Sequence, residues 1–165
     1  MDRCAECGHE YDLSACGGAG ADCRRLASEL SAVLLSGSER LGARSRPETW
    51  SPLEYACHVR DVLIVQRERV LLARWTDRPV FAPMGRDERV ELDGYSGQDP
   101  RDVATQLTEA ARLFANVLAR LAPEEWDRTV VYGYPSRLER PLRWVAVHTV
   151  HEMRHHLLDV GRQMG

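Results

Sequence analysis

Apolar residues recur at three- and four-residue spacing in four long stretches of this chain, and that repeat confines it to a helical fold. Leu26, Leu30, Val33 and Leu34 carry the repeat between residues 22 and 41, and Val59, Val62, Leu63 and Val70 carry it between 51 and 75. Val103, Leu107, Ala110, Phe114, Val117 and Leu118 continue it between 99 and 121. The fourth stretch runs from Pro141 to Met164. Ser51-Pro-Leu-Glu54 is a capping box with proline at the first helical position, and Asp99-Pro100 opens the third stretch. Residues 42–50 contain Pro47 and read as a loop. Residues 76–98, with Pro79, Pro83, Gly85, Gly94 and Gly97, read as a long irregular connection of functional or mobile character. Pro123-Glu-Glu-Trp126 reads as a short turn and residues 129–135 as a β-rich extended segment. Residues 12–22 are rich in Gly, Ala and Ser and read as a linker. The expected organisation is a cysteine-containing N-terminal extension at 1–22 and an all-α four-helix bundle at 23–165. Such bundles build metal sites from side chains that face the interior.

Four of the six histidines fall in the fourth stretch, as His148, His151, His155 and His156. Each helical residue advances about 100°, so His148, His151 and His155 share a sector of about 60° and His156 points about 100° away from His155. Two imidazoles one turn apart can reach one ion, so the stripe reads as a metal site of zinc type. A further ligand is expected from another helix. His58, among Tyr55, Val59 and Val62, is the best placed.

Five cysteines stand at 4, 7, 16, 23 and 57. Cys4-Ala-Glu-Cys7-Gly8 has the spacing at which a tight turn lets two thiolates bind one ion. The chain lacks a second such pair. A zinc on Cys4 and Cys7 therefore draws its other ligands from His9, Cys16, Cys23 or Cys57, or the pair is a redox dithiol. Nothing in the sequence marks an export signal or an apolar run long enough to cross a membrane, so a cytoplasmic location is expected. A net charge of −3 offers no footprint for nucleic acid. All 22 basic residues are arginine. Arginine codons are GC-rich and lysine codons AT-rich, which points to a high-GC, actinobacterial source.

Two segments carry a family resemblance: Trp50-Ser-Pro-Leu-Glu-Tyr-Ala-Cys-His-Val-Arg-Asp-Val62 and His151-Glu-Met-Arg-His-His-Leu-Leu-Asp159. Together they resemble the DinB-like superfamily of bacterial four-helix metalloproteins, over about residues 26–161. That superfamily includes thiol-dependent S-transferases and mycothiol-dependent maleylpyruvate isomerases. The resemblance implies one divalent ion, usually zinc, on a histidine of the second helix and two of the fourth, which it matches to His58, His151 and His155. His148 then lies one turn above the ion and supports it or faces substrate.

The activity so implied is attack by a low-molecular-weight thiol, mycothiol in such a host, on a small electrophile, or thiol-assisted isomerisation. Arg60, Arg143 and Arg154 are candidate anchors for a carboxylated substrate, and Glu54 and Asp61 candidate acceptors for the His58 ring. The partners expected are small molecules, in a monomer or homodimer. A non-catalytic metal- or thiol-sensing accessory protein is the competing class. His151-Glu-Met-Arg-His155 also satisfies the zinc-peptidase signature. Only ten residues follow it, and Asp159 is the candidate there for the downstream third ligand of extended peptidase patterns.

Overall fold

Helical structure begins earlier than the glycine-rich composition of residues 12–22 suggests. In the computed structural model, which describes residues 3–133 and 137–165, Asp12 caps a 3-10 turn over Leu13–Gly18 and helix α1 (Ala19–Leu34) follows directly. Gly20 is there for packing rather than flexibility. A Cβ at this position would meet Cα and Cβ of Ala115 at 3.2 Å, so only glycine lets α1 come this close to its neighbour. The helix ends at Leu34, short of the expected 41, because Gly37 takes a left-handed φ of 71°. Leu41 is buried from a separate turn, Glu39–Gly42.

Helix α2 (Pro52–Trp75) starts at the capping box: Ser51 Oγ accepts from the Glu54 amide, and the Glu54 carboxylate accepts from the Ser51 amide at 2.7 Å. The connection that follows is not irregular. It holds strand β1 (Val80–Phe81), helix α3 (Arg86–Leu92) and a turn at Tyr95–Gly97. Helix α4 (Pro100–Leu118) is capped by Asp99. Strands β2 (Thr129–Tyr132) and β3 (Leu138–Pro141) lead into helix α5 (Leu142–Met164). Of the expected extended segment 129–135, residues 134 and 135 lie outside the described residues. The three short strands form one sheet in the order β1-β2-β3, β1 parallel and β3 antiparallel to β2.

The architecture is a mostly helical four-helix bundle with a minor sheet. Helices α1 and α2 each pack against both α4 and α5, so the first two helices stand at opposite corners. Leu30, Leu63, Leu107, Phe114, Leu142 and Met153 fill the centre.

From Pro52 to Leu63, every α2 residue except Tyr55 is buried, polar ones included. The reason is the long connection, which covers the outer face of α2. Asp61 accepts hydrogen bonds from Tyr95 Oη at 2.7 Å and Arg89 at 2.9 Å. Arg60 donates to Asp61, Gln98, Gln106 and Asp93.

Arg44 donates two hydrogen bonds to Glu54, whose side chain is 3 % exposed against 35 % for Arg44. Burial by itself would raise the Glu54 carboxyl. Arg44 and Ser51 overcome it and hold the group below the ordinary carboxylate value. Removing the guanidinium leaves a buried, half-satisfied charge, so Arg44→Ala should cost about 2 kcal/mol, less than a fully buried pair because Arg44 is partly solvated. The depressed folded pKa means that this stabilisation is present above the ordinary carboxylate range and lost as pH falls through the folded value. Urea unfolding should therefore show a gap between wild type and variant at neutral pH that narrows below about pH 4. A gap independent of pH would show that the pair does not brace α2.

Candidate metal centre

The core-facing line of α5 is Val145, Thr149, Met153, His156 and Val160, all buried and three or four residues apart. His156 belongs to that line, and Glu152 lies beside it one turn earlier. His148, His151 and His155 fall further round the helix, under the N-terminal segment. Neighbouring residues of α5 therefore face different partners.

His58 stands opposite the core-facing pair. Its ring meets the His156 ring edge-on at 4.9 Å and lies 5.2 Å from Trp50. One ligand atom from each of His58, Glu152 and His156 lies within 4.8 Å of the other two. The chemistry of the three suits a cation. His58 is 2 % exposed, and its Nδ1 is buried with no hydrogen-bond partner among the described residues. Burial, reinforced by His156, lowers its pKa to about 3, so the ring is neutral near neutral pH. Glu152 is an ionised carboxylate: burial would raise it, but His151, His148 and His156 around it bring it down to about 2. His156 Nδ1 lies 3.1 Å from Asp159, a carboxylate that can accept a hydrogen bond from Nδ1–H and leave Nε2 as a lone pair.

His151 and His155 are not in this group. The structure places them with Cys4 and Cys7, again with one ligand atom from each inside 4.8 Å. The three histidines joined by the resemblance are thus divided, His58 on one side of α5 and His151 with His155 on the other. The expected further ligands of the cysteine pair also differ. Cys16, Cys23 and Cys57 are buried elsewhere in the core, where burial pushes the Cys57 thiol up to about 12 and the Cys23 thiol higher still. The Cys4 thiol is lowered to about 6, first by the Cys7 amide and then by His151. His9 is buried against Tyr11 and His151, with neither ring nitrogen paired among the described residues.

His148 stacks on Trp144 with ring centroids 4.3 Å apart and shares the Tyr11 hydroxyl with His151, each Nδ1 at 2.9 Å. The arginines considered as substrate anchors are otherwise engaged or distant. Arg60 is held in the Asp61 network and Arg143 pairs with Asp127 at 2.6 Å, while Arg154 is exposed beside His9 and Cys7. Glu54 serves the capping box and Arg44, and Asp61 serves Tyr95 and Arg89, so neither accepts from His58. Arg86 is the cation that does approach, lying over the Trp50 ring at 5.2 Å. A cleft of about 800 Å³ opens over Arg60, Asp61 and Arg89 on the outer face of α2, and no histidine or cysteine lines it.

Residues 22–160 match the model of the DinB superfamily. The chain belongs to the DinB superfamily. A search of curated proteins finds no match. Among solved structures this DinB chain is similar to YfiT from Bacillus subtilis, described as a probable metal-dependent hydrolase with an unusual four-helix bundle topology. The two share 15 % identity at a TM-score of 0.70 over 100 % of this chain and 92 % of that one, a likeness of fold. No helix among the described residues of this DinB protein is long and apolar enough to cross a membrane.

The half-buried His148 gives this face a pH signature. Burial lowers its pKa from 6.5 to about 4, with Glu152 opposing and His151 assisting. Between those values the unfolded chain binds a proton that the folded chain refuses, so folding stability falls as pH is lowered through the window. In chelator-treated protein, His148→Gln should flatten that fall by up to about 1.4 kcal/mol per pH unit. Equal slopes for wild type and variant in urea unfolding at several pH values would refute this.

Proposed function

We propose that the chain is a metal-dependent enzyme whose divalent ion, zinc in the first instance, is held by His58, Glu152 and His156. The observation that carries this is the buried Nδ1 of His58, without a partner among the described residues, facing a half-buried carboxylate and a carboxylate-oriented imidazole. Two imidazoles and a carboxylate make a three-ligand set with room for a further ligand, the pattern of a catalytic rather than a closed site. When bound, the ion supplies Lewis acidity that deprotonates a coordinated thiol or water and polarises a carbonyl.

The protein's own groups prepare that position. His58 offers a neutral lone pair without first releasing a proton, and Glu152 offsets the ionic charge. Asp159 fixes the orientation of the His156 ring. Tyr55 lies 5.2 Å from that ring; burial raises its phenol pKa, which keeps the hydroxyl protonated as a donor. Trp50 and Tyr55 wall the ligand group from water, and Arg86 above Trp50 offers a cation to a carboxylated substrate.

The reaction we assign is attack of a low-molecular-weight thiol, such as mycothiol, on a small electrophile. A free thiol with a pKa near 8.5 is about nine-tenths protonated or more at neutral pH, and only the thiolate attacks. A metal supplies that thiolate without a dedicated base. Hydrolysis is the second reading, favoured by the description of YfiT.

His58→Ala and Glu152→Gln should each weaken metal binding at this centre by more than the ~10–100-fold that loss of an outer partner costs, and Asp159→Asn should fall within that range. Equilibrium competition with a chromogenic chelator measures this. The same variants should lose metal-dependent consumption of mycothiol, glutathione or cysteine against a panel of electrophiles. Turnover without thiol would select hydrolysis. No metal-dependent turnover at all would replace catalysis with the sensing role.

A further inference from the structure

We propose that Cys4, Cys7, His151 and His155 form a second, closed Cys2His2 zinc site that clamps the N-terminal hairpin onto α5. This site has no ligand in common with the His58 centre.

The hairpin is built to present two sulfurs to one point. Arg3 and Glu10 form an antiparallel bridge, the Cys4 amide donates to the His9 carbonyl at 2.9 Å, and the Gly8 amide donates to the Cys4 carbonyl at 3.0 Å. Gly8 closes the turn at a φ of 69°, a conformation that strains any residue with a Cβ. The thiols of Cys4 and Cys7, both unbridged, come within ligand reach of two imidazoles one turn apart on α5. With zinc–sulfur and zinc–nitrogen bonds of about 2.3 and 2.05 Å, a tetrahedral site puts sulfur and nitrogen about 3.6 Å apart. Cys4 Sγ lies 3.7 Å from His155 Nδ1.

Both imidazoles are oriented by groups outside the cluster, as metal-bound histidines usually are. Tyr11 lies 2.9 Å from Nδ1 of both His148 and His151 but has one proton to give. Glu152 is 3.5 Å from His151 Nδ1, so the proton belongs on that nitrogen: His151 donates to Tyr11, and Tyr11 donates to His148. His151 Nε2 is left as a lone pair, and it is buried with no hydrogen-bond partner among the described residues. His155 is arranged the other way. Its Nε2 faces Glu6 at 3.5 Å and Asp159 at 3.7 Å, which leaves Nδ1 for the cluster.

Two thiolates and two neutral imidazoles balance the charge of one divalent ion, and thiolate sulfur favours zinc over magnesium or calcium. Four protein ligands leave no open position, so the site is structural.

The test uses the full-length protein. Zinc analysis should give two ions per chain, and Cys4→Ser/Cys7→Ser should give one. Cobalt-substituted wild type should show thiolate-to-cobalt charge-transfer absorption and tetrahedral d–d bands, and the double variant should lose the charge-transfer band. His58→Ala should keep that band. If the His58 centre is misassigned, wild type holds one zinc with the cobalt–sulfur band and the double variant none, which still supports the clamp. Alkylation covers the case in which the variant does not fold: in zinc-loaded wild type Cys4 and Cys7 should resist iodoacetamide, and chelation should expose those two while buried Cys16, Cys23 and Cys57 stay unlabelled. A cobalt protein with no thiolate band would overturn the proposal. So would wild-type zinc content in the double variant, or a Cys4–Cys7 disulfide in protein loaded with zinc.

Discussion

The 100° step between neighbouring residues of α5 decides where every histidine of its middle turns can go. Glu152 and His156 fall toward α2, and His151 and His155 fall toward the N-terminal hairpin, although each pair is one residue from the other. A helix cannot turn one pair without turning both. The rotation of α5 about its axis is therefore the quantity that the remainder of the molecule holds fixed. Leu142, Val145, Met153 and Val160 do this from the core, and Trp144 does it from the sheet side through Tyr132 and Tyr11.

On the other side of the proposed ion, the position of His58 is fixed by polar groups buried along α2. Glu54, one turn before His58, is tied to Arg44 and the helix start. Asp61, nearly one turn after, is tied to Tyr95, Arg60 and Arg89 from the connection that covers the helix. Buried ion pairs add little net stability to a core, but breaking one partner is costly, and such groups resist sliding because their geometry has a single solution. His58 hangs between two of them. That accounts for the depth of α2 in the protein and for a covering segment where the composition promised only a loop.

The bundle was legible because four apolar repeats and two strong helix starts agree with one another. The clustering of candidate ligands on α5 was legible from its histidines. Their division between two side-chain clusters was not, because spacing on one helix says which residues share a face and not which partner that face meets. One signal was present: His156 continues the line Val145, Thr149, Met153, while His151 and His155 do not. Glu152 was read only within a peptidase-like motif, and a carboxylate four residues before a histidine is as good a ligand pair as two histidines. Arg60 and Asp61 were misjudged because their partners, Tyr95, Arg89 and Gln98, come from a segment whose turns carry no periodicity. The glycines at 17, 18 and 20 resembled a linker since composition does not distinguish a glycine that frees the chain from one that lets two helices touch.

The contact between Cys4 and His155 spans 151 residues of sequence. During synthesis the first segment of the chain leaves the ribosome long before its partner helix exists. At about 5–20 residues per second, roughly 8 to 30 s separate the two. For that interval Cys4 and Cys7 are solvent-facing thiols on an undocked hairpin, able to meet the cell's oxidants and metal carriers while the buried cysteines are still being enclosed. The final geometry of the chain's beginning is thus set by its last turns of helix, and a truncation near residue 150 would leave a translated N-terminus with nowhere to dock.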